Sequence, residues 1–130
     1  MSANSNEHDA IKACIQKYID GIAKHDTDLV AEAFHPQALM SSHQGDEFVL
    51  EQPAGRAIVD YMNNIPPVYE TSPNFKGRIL MVEQNGTMAT AIIAEDELEG
   101  LNFITYFHLH KVEGTWLIIS KATYGEPVEK

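Results

Sequence analysis

The sequence predicts an α+β domain in which helices come first and an antiparallel sheet follows, and three observations carry that expectation. Apolar residues recur at helical spacing near the start of the chain. From Phe75 onward the pattern changes to runs of β-branched and aromatic residues separated by turn signals. Between two of those runs lies Asn85-Gly86, the strongest two-residue hairpin signal because both positions tolerate positive φ. That order belongs to folds whose helices are segregated onto one face of a curved sheet.

Glu7 to His25 places Ile11, Cys14, Ile15, Tyr18, Ile19 and Ile22 at three- and four-residue spacing, one stripe of a helix. Gly21 within it costs roughly 1 kcal/mol relative to alanine, so close packing against a neighbour is its expected reason. His25-Asp26-Thr27-Asp28 supplies capping side chains for a second helix, Asp28 to Phe34, which Pro36 ends. Gln37 to Gln44 and Glu47 to Gln52 read as short strands around Gly45-Asp46. Arg56 to Asn63 reads as a third helix packing through Ile58, Val59, Tyr61 and Met62. Pro66, Pro67 and Pro73 make Asn64 to Asn74 an irregular loop, suited to covering a pocket mouth.

Phe75 to Gln84, Thr87 to Leu98, Leu101 to Val112 and Trp116 to Tyr124 form the expected meander, and Glu95 to Glu99 reads as an exposed, solubilising turn. In the strand from Leu101, alternation puts Phe103, Thr105, Phe107 and Leu109 on one face and Ile104, Tyr106, His108 and His110 on the other. Apolar residues on both faces imply burial on both sides. The two histidines make this strand the first place to look for chemistry.

With 130 residues and 44% hydrophobic content, the chain is one domain that can bury a core without metal or disulfide staples. Its lone cysteine, Cys14, reads as a buried structural thiol compatible with a reducing compartment. The first eight residues are expected to be flexible. The N-terminus lacks a basic start and an apolar run, and no stretch approaches the ~20 apolar residues of a membrane span. A cytoplasmic protein without a membrane partner is expected. A net charge of −10 with scattered Lys and Arg argues against nucleic acid. No Gly-rich phosphate loop, Cys pair or nucleophile elbow occurs, so no cofactor is expected. His108 and His110 could present two nitrogens to one metal, but two ligands make a weak site; a polar-aromatic dimer surface is the better reading, and no metal is expected.

Ile15-Gln16-Lys17-Tyr18-Ile19-Asp20-Gly21, then Asp26, then Phe34-His35-Pro36-Gln37-Ala38, resembles the opening of the nuclear transport factor 2-like superfamily. Tyr106 to Ile119 resembles its closing hairpin, and Gly55-Arg56 before the third helix is also typical. The pattern is most similar to the branch named for lumazine binding, with polyketide-cyclase-like members as near neighbours. The resemblance implies a cystatin-like cone: N-terminal helices packed in a strongly curved, mainly antiparallel sheet, open to a largely apolar pocket, and often dimeric through the sheet. It does not imply one activity, because the fold carries isomerases, dehydratases, cyclases and transport adaptors.

Aligned with the ketosteroid isomerases of this superfamily, the catalytic tyrosine falls on Tyr18 and the general base on Ser42, which lacks useful basicity. The oxyanion aspartate falls near His108, and His43 is a possible base if a bulge turns it inward. The leading expectation is a homodimeric cone that holds a small apolar or aromatic molecule through Tyr18, Met40, Tyr61, Met62, Tyr106 and His108. An isomerase, dehydratase or cyclase using Tyr18 and His108 with help from His43 is the alternative, and a protein-interaction adaptor the second.

Overall fold

The computed structural model describes residues 3–129. Helix α1 spans Ala3–Lys24 and α2 spans Thr27–Ala33; strands β1 (Phe34–Gln44) and β2 (Glu47–Glu51) follow. Next come α3 (Ala54–Met62) and α4 (Val68–Thr71), then β3 (Lys76–Asn85), β4 (Met88–Leu98), β5 (Leu101–Val112) and β6 (Thr115–Pro127). The six strands form one sheet in the order β2-β1-β6-β5-β4-β3. Only the β1–β6 pairing is parallel; the others are antiparallel. The predicted α+β cone is the fold observed. Among the described residues, no helix is long and apolar enough to cross a membrane.

The stripe read from the sequence is the face of α1 that fills the cone. Ile11, Ile15, Tyr18 and Ile19 pack in one core with Ile93, Phe107, Leu109 and Ile118 of the sheet. Each such side chain contributes about 1.5–3 kcal/mol as an upper estimate. The helix closes at His25, whose φ of 56° bends the chain so that the Asp26 amide donates to the Gly21 carbonyl at 2.8 Å. Asp26 then caps α2, accepting from the amides of Asp28 and Leu29. This tight corner presses α2 onto Gly21, where a Cβ would lie 2.6 Å from Cγ2 of Val30, which is the close approach its position anticipates.

Some boundaries differ from expectation. The first helix begins at Ala3, four residues ahead of the expected start at Glu7. Helix α2 ends before Pro36 as expected, but strand β1 starts at Phe34 rather than Gln37 and so contains that proline. The ladder to β6 breaks its register between Phe34 and Leu39, so the proline removes no regular hydrogen bond there. The proline-rich loop folds one short helix, α4, and its buried Ser72 accepts from the Glu99 amide at 2.9 Å. The outer face of β5 is not covered: Ile104 and Tyr106 stand open to solvent, because all the helical mass lies on the other side.

Candidate functional site

Strand pairing defines one row across the concave face: Glu51 opposite Met40, Met40 opposite Lys121, Lys121 opposite Phe107, Phe107 opposite Ala91, and Ala91 opposite Val82. Exposure falls along it from Glu51, which is open, through half-buried Met40 to buried Lys121 and Phe107. Lys121 points inward because of a bulge. Leu109 pairs with Ile118 and His108 with Ser120, so Ile119 is the extra residue that reverses the alternation of β6. Trp116 and Ile118 face the core before it, and Lys121 and Thr123 face it afterwards.

Lys121 keeps only 8% of its surface exposed, and its Nζ lies 5.8 Å from the centre of the Tyr18 ring. Among the described residues it makes no hydrogen bond or ion pair. Burial pulls its amine below the ordinary lysine range, while the charges of Glu95 and Glu51 pull the other way. Beside it Tyr18 is 2% exposed, held edge-on by Phe34 at 5.8 Å and Phe107 at 5.3 Å between ring centres. Its hydroxyl donates to Oε2 of Glu95 at 3.4 Å. Burial, then the charge and hydrogen bond of Glu95, hold the phenol well above the usual tyrosine range, so it is a proton donor and not a phenolate.

Glu95 is itself only 2% exposed, and its Oε1 accepts from Thr105 at 2.8 Å. The Thr105 and Thr123 hydroxyls meet at 2.7 Å. An amine, a phenol, a carboxyl and two hydroxyls thus gather against apolar walls from Phe34, Met40 and Phe107. Such a set can hold the polar end of a small molecule or pass a proton to it. Glu95, expected in an exposed turn, is instead inside the cone. The correction follows from register: β4 continues to Leu98 and pairs Glu95 with Phe103 on the inner face.

The expected site residues divide by face. Tyr18, Met40 and Met62 lie on the inside, Met62 within the core and Met40 packed against it. His108 and Tyr106 lie on the outside of β5, Tyr106 at 55% exposure, and are separated from Tyr18 by the sheet. The reason is alternation, since Phe107 and Thr105 take the inward positions. His43 also faces outward: β1 and β2 pair without a break from Met40 to Gln44, so no bulge turns it toward Tyr18. Its ring lies 5.7 Å from that of Phe48. The structure therefore does not bring His43 or His108 to Tyr18. Tyr61 sits at the rim, 56% exposed, donating to Oε2 of Glu99 at 2.8 Å; desolvation and that bond push its phenol up to about 12.

A hollow of about 380 Å³ opens beside His108 and His110, next to Glu83 and Met88. It is an open groove on the convex side without any of the Tyr18, Glu95 or Lys121 chemistry, so we place the candidate site inside the cone. Among the described residues, no three His, Cys, Asp or Glu side chains converge as metal ligands.

The curved sheet around α1, with a polar cluster at its concave face, defines the class of small cone-shaped domains called NTF2-like. A structure of that class, an NTF2-like protein of unknown function from Shewanella baltica OS155, superposes with a TM-score of 0.85 at 30% identity, covering 98% of this chain and 100% of the other. A second, from Methylobacillus flagellatus KT, gives 0.82 at 23% identity over 97% and 95% of the two chains. A ketosteroid isomerase-like protein from Erwinia carotovora atroseptica SCRI1043 shares the fold, with a TM-score of 0.69 at 14% identity over 92% and 95%. No curated protein matches the sequence. Within this superfamily the chain belongs to the family described as "Putative lumazine-binding", whose model matches residues 6–124.

Proposed function

We propose that this chain holds a small, mainly apolar or aromatic molecule inside the cone, with the polar end of the ligand met by Tyr18, Glu95 and Lys121. The observation that carries the reading is the Lys121 side chain, only 8% exposed and turned into the cone beside the Tyr18 ring, whose amine makes no hydrogen bond or ion pair among the described residues. An amine on a largely desolvated side chain gains more from a ligand that accepts its hydrogen bond than the same amine would in open water. The family's description names lumazine, a flat pteridine dione. A planar heteroaromatic with ring carbonyls has the shape and polarity that these walls and donors would take. The exposure gradient from Glu51 through Met40 supports entry from the β1–β2 side, while Ser72 and Tyr61 tie the far rim to Glu99.

Native mass spectrometry of freshly purified protein, set beside its denatured mass, tests this reading. A discrete mass excess released on unfolding is expected, reduced in Tyr18→Phe. Bare protein that also takes up no pteridine or aromatic fragment would contradict it.

The outer face of the sheet supports pairing of two copies. Ile104 stands opposite Tyr124 and, together with Tyr106 and Met88, leaves a band of exposed apolar surface across β4–β6. A homodimer through this face accounts for the open side of β5. Light scattering on Tyr106→Glu checks it: a monomer is expected, and an unchanged mass at all concentrations contradicts it.

A further inference from the structure

Resting on the pocket just proposed, we infer that the Lys121 amine forms a reversible imine with an aldehyde or ketone that enters the cone. Lys121 is set inward by the Ile119 bulge, with its Nζ over the Tyr18 ring and no hydrogen bond or ion pair among the described residues. The choice between an anionic ligand and a neutral carbonyl is decided by its neighbours. Glu95 and Glu51 both act on Lys121 electrostatically, so a carboxylate or phosphate arriving there would meet two like charges. A carbonyl would not. Burial favours the uncharged amine, the form whose lone pair attacks carbon.

In the proposed step the amine nitrogen bonds to the carbonyl carbon, the carbonyl oxygen takes a proton, and the nitrogen gives one up. The resulting carbinolamine loses water to leave the C=N bond. No electrons change hands, so no oxidant or cofactor is required. The buried Tyr18 hydroxyl is the nearby proton donor, and the Glu95 carboxyl to which it donates completes the relay. The walls of Phe34, Met40 and Phe107 select an apolar or aromatic substituent on the carbonyl carbon.

The test treats native protein with benzaldehyde and cyanoborohydride near neutral pH, then maps the benzyl groups by peptide mass spectrometry. Lys121 should be labelled about ten-fold or more above any other lysine, saturably, with the preference lost in urea. Labelling of Lys121 at or below the level of the surface lysines overturns the imine. A parallel titration with benzyl alcohol, which cannot form one, follows the Met40 methyl resonance. Saturable Met40 shifts beside an unselective labelling pattern overturn the imine and leave the pocket standing; the absence of both overturns both. Because wild-type protein carries the whole comparison, no variant has to fold.

Discussion

The Tyr18 hydroxyl of α1 and the Glu95 carboxyl of β4 meet at 3.4 Å inside the cone, where neither has appreciable contact with water. This bond joins the central helix to the sheet through polar groups in an otherwise apolar interior. In Glu95→Ala the Tyr18 hydroxyl loses its acceptor, and Thr105 keeps only Thr123. An orphaned buried hydroxyl costs about 1–3 kcal/mol, so urea unfolding should show a loss of about 2 kcal/mol or more. Tyr18→Phe, which removes a donor and leaves Thr105 on the carboxyl, should cost about 1 kcal/mol. An unchanged midpoint in Glu95→Ala would contradict the bond's role.

The buried amine has a pH signature of definite sign. Its folded-state pKa lies below the unfolded value of about 10.4, so between the two the unfolded chain binds the extra proton. The resulting penalty is absent above about pH 10.4, grows as pH falls, and is fully developed below the folded pKa. Subtracting the unfolding free energies of Lys121→Met from those of wild type should therefore give a difference that rises with pH through this window. A flat difference would show that the amine is solvated in the folded state.

Cys14 should be inert in the native protein. It is buried, donates to the Ala33 carbonyl at 3.5 Å, and desolvation raises its thiol from 9.0 to about 11. That shift alone lowers the thiolate fraction about 100-fold near neutral pH. Iodoacetamide labelling should be slower than in urea by at least that factor. Comparable rates would mean that α1 opens readily.

Gly21→Ala sets two effects against each other. Helix propensity favours alanine by about 1 kcal/mol, but the new Cβ would lie 2.6 Å from Cγ2 and 2.9 Å from the backbone nitrogen of Val30. Backbone cannot yield as a side chain can, and overpacking of this kind costs about 1–3 kcal/mol. A net loss of stability on thermal unfolding is expected, and a gain would contradict the contact.

Much of the fold was legible because its signals are periodic. The α1 stripe, the Asn85-Gly86 hairpin and the alternation of β5 each repeat over many residues, and each reappears in the structure. The site was less legible because it depends on single-residue events. From Trp116 and Ile118, strict alternation carries Ser120 and Ala122 inward; the bulge at Ile119 substitutes Lys121 and Thr123, and nothing in the local composition marks it. Glu95 was hidden in a run of acids, although its spacing from Ala91 and Ile93 was the available sign of a shared inner face. His108 drew attention by its chemistry, yet Phe107 beside it held the stronger claim on the interior.

The most direct test of a site inside the cone is a titration of methyl-labelled methionine with a small aromatic carbonyl compound, read by NMR. Met40 and Met62 report from the inner side of the fold, whereas Met88 lines the outer groove beside His108 and Met81 stands partly exposed on the edge strand β3. Saturable shifts at Met40, with Met81 and Met88 unmoved and the response intact in His108→Ala, are the expected result. Shifts confined to Met81 and Met88, or abolished in His108→Ala, would move the binding site to the outer groove and contradict a role for Tyr18, Glu95 and Lys121.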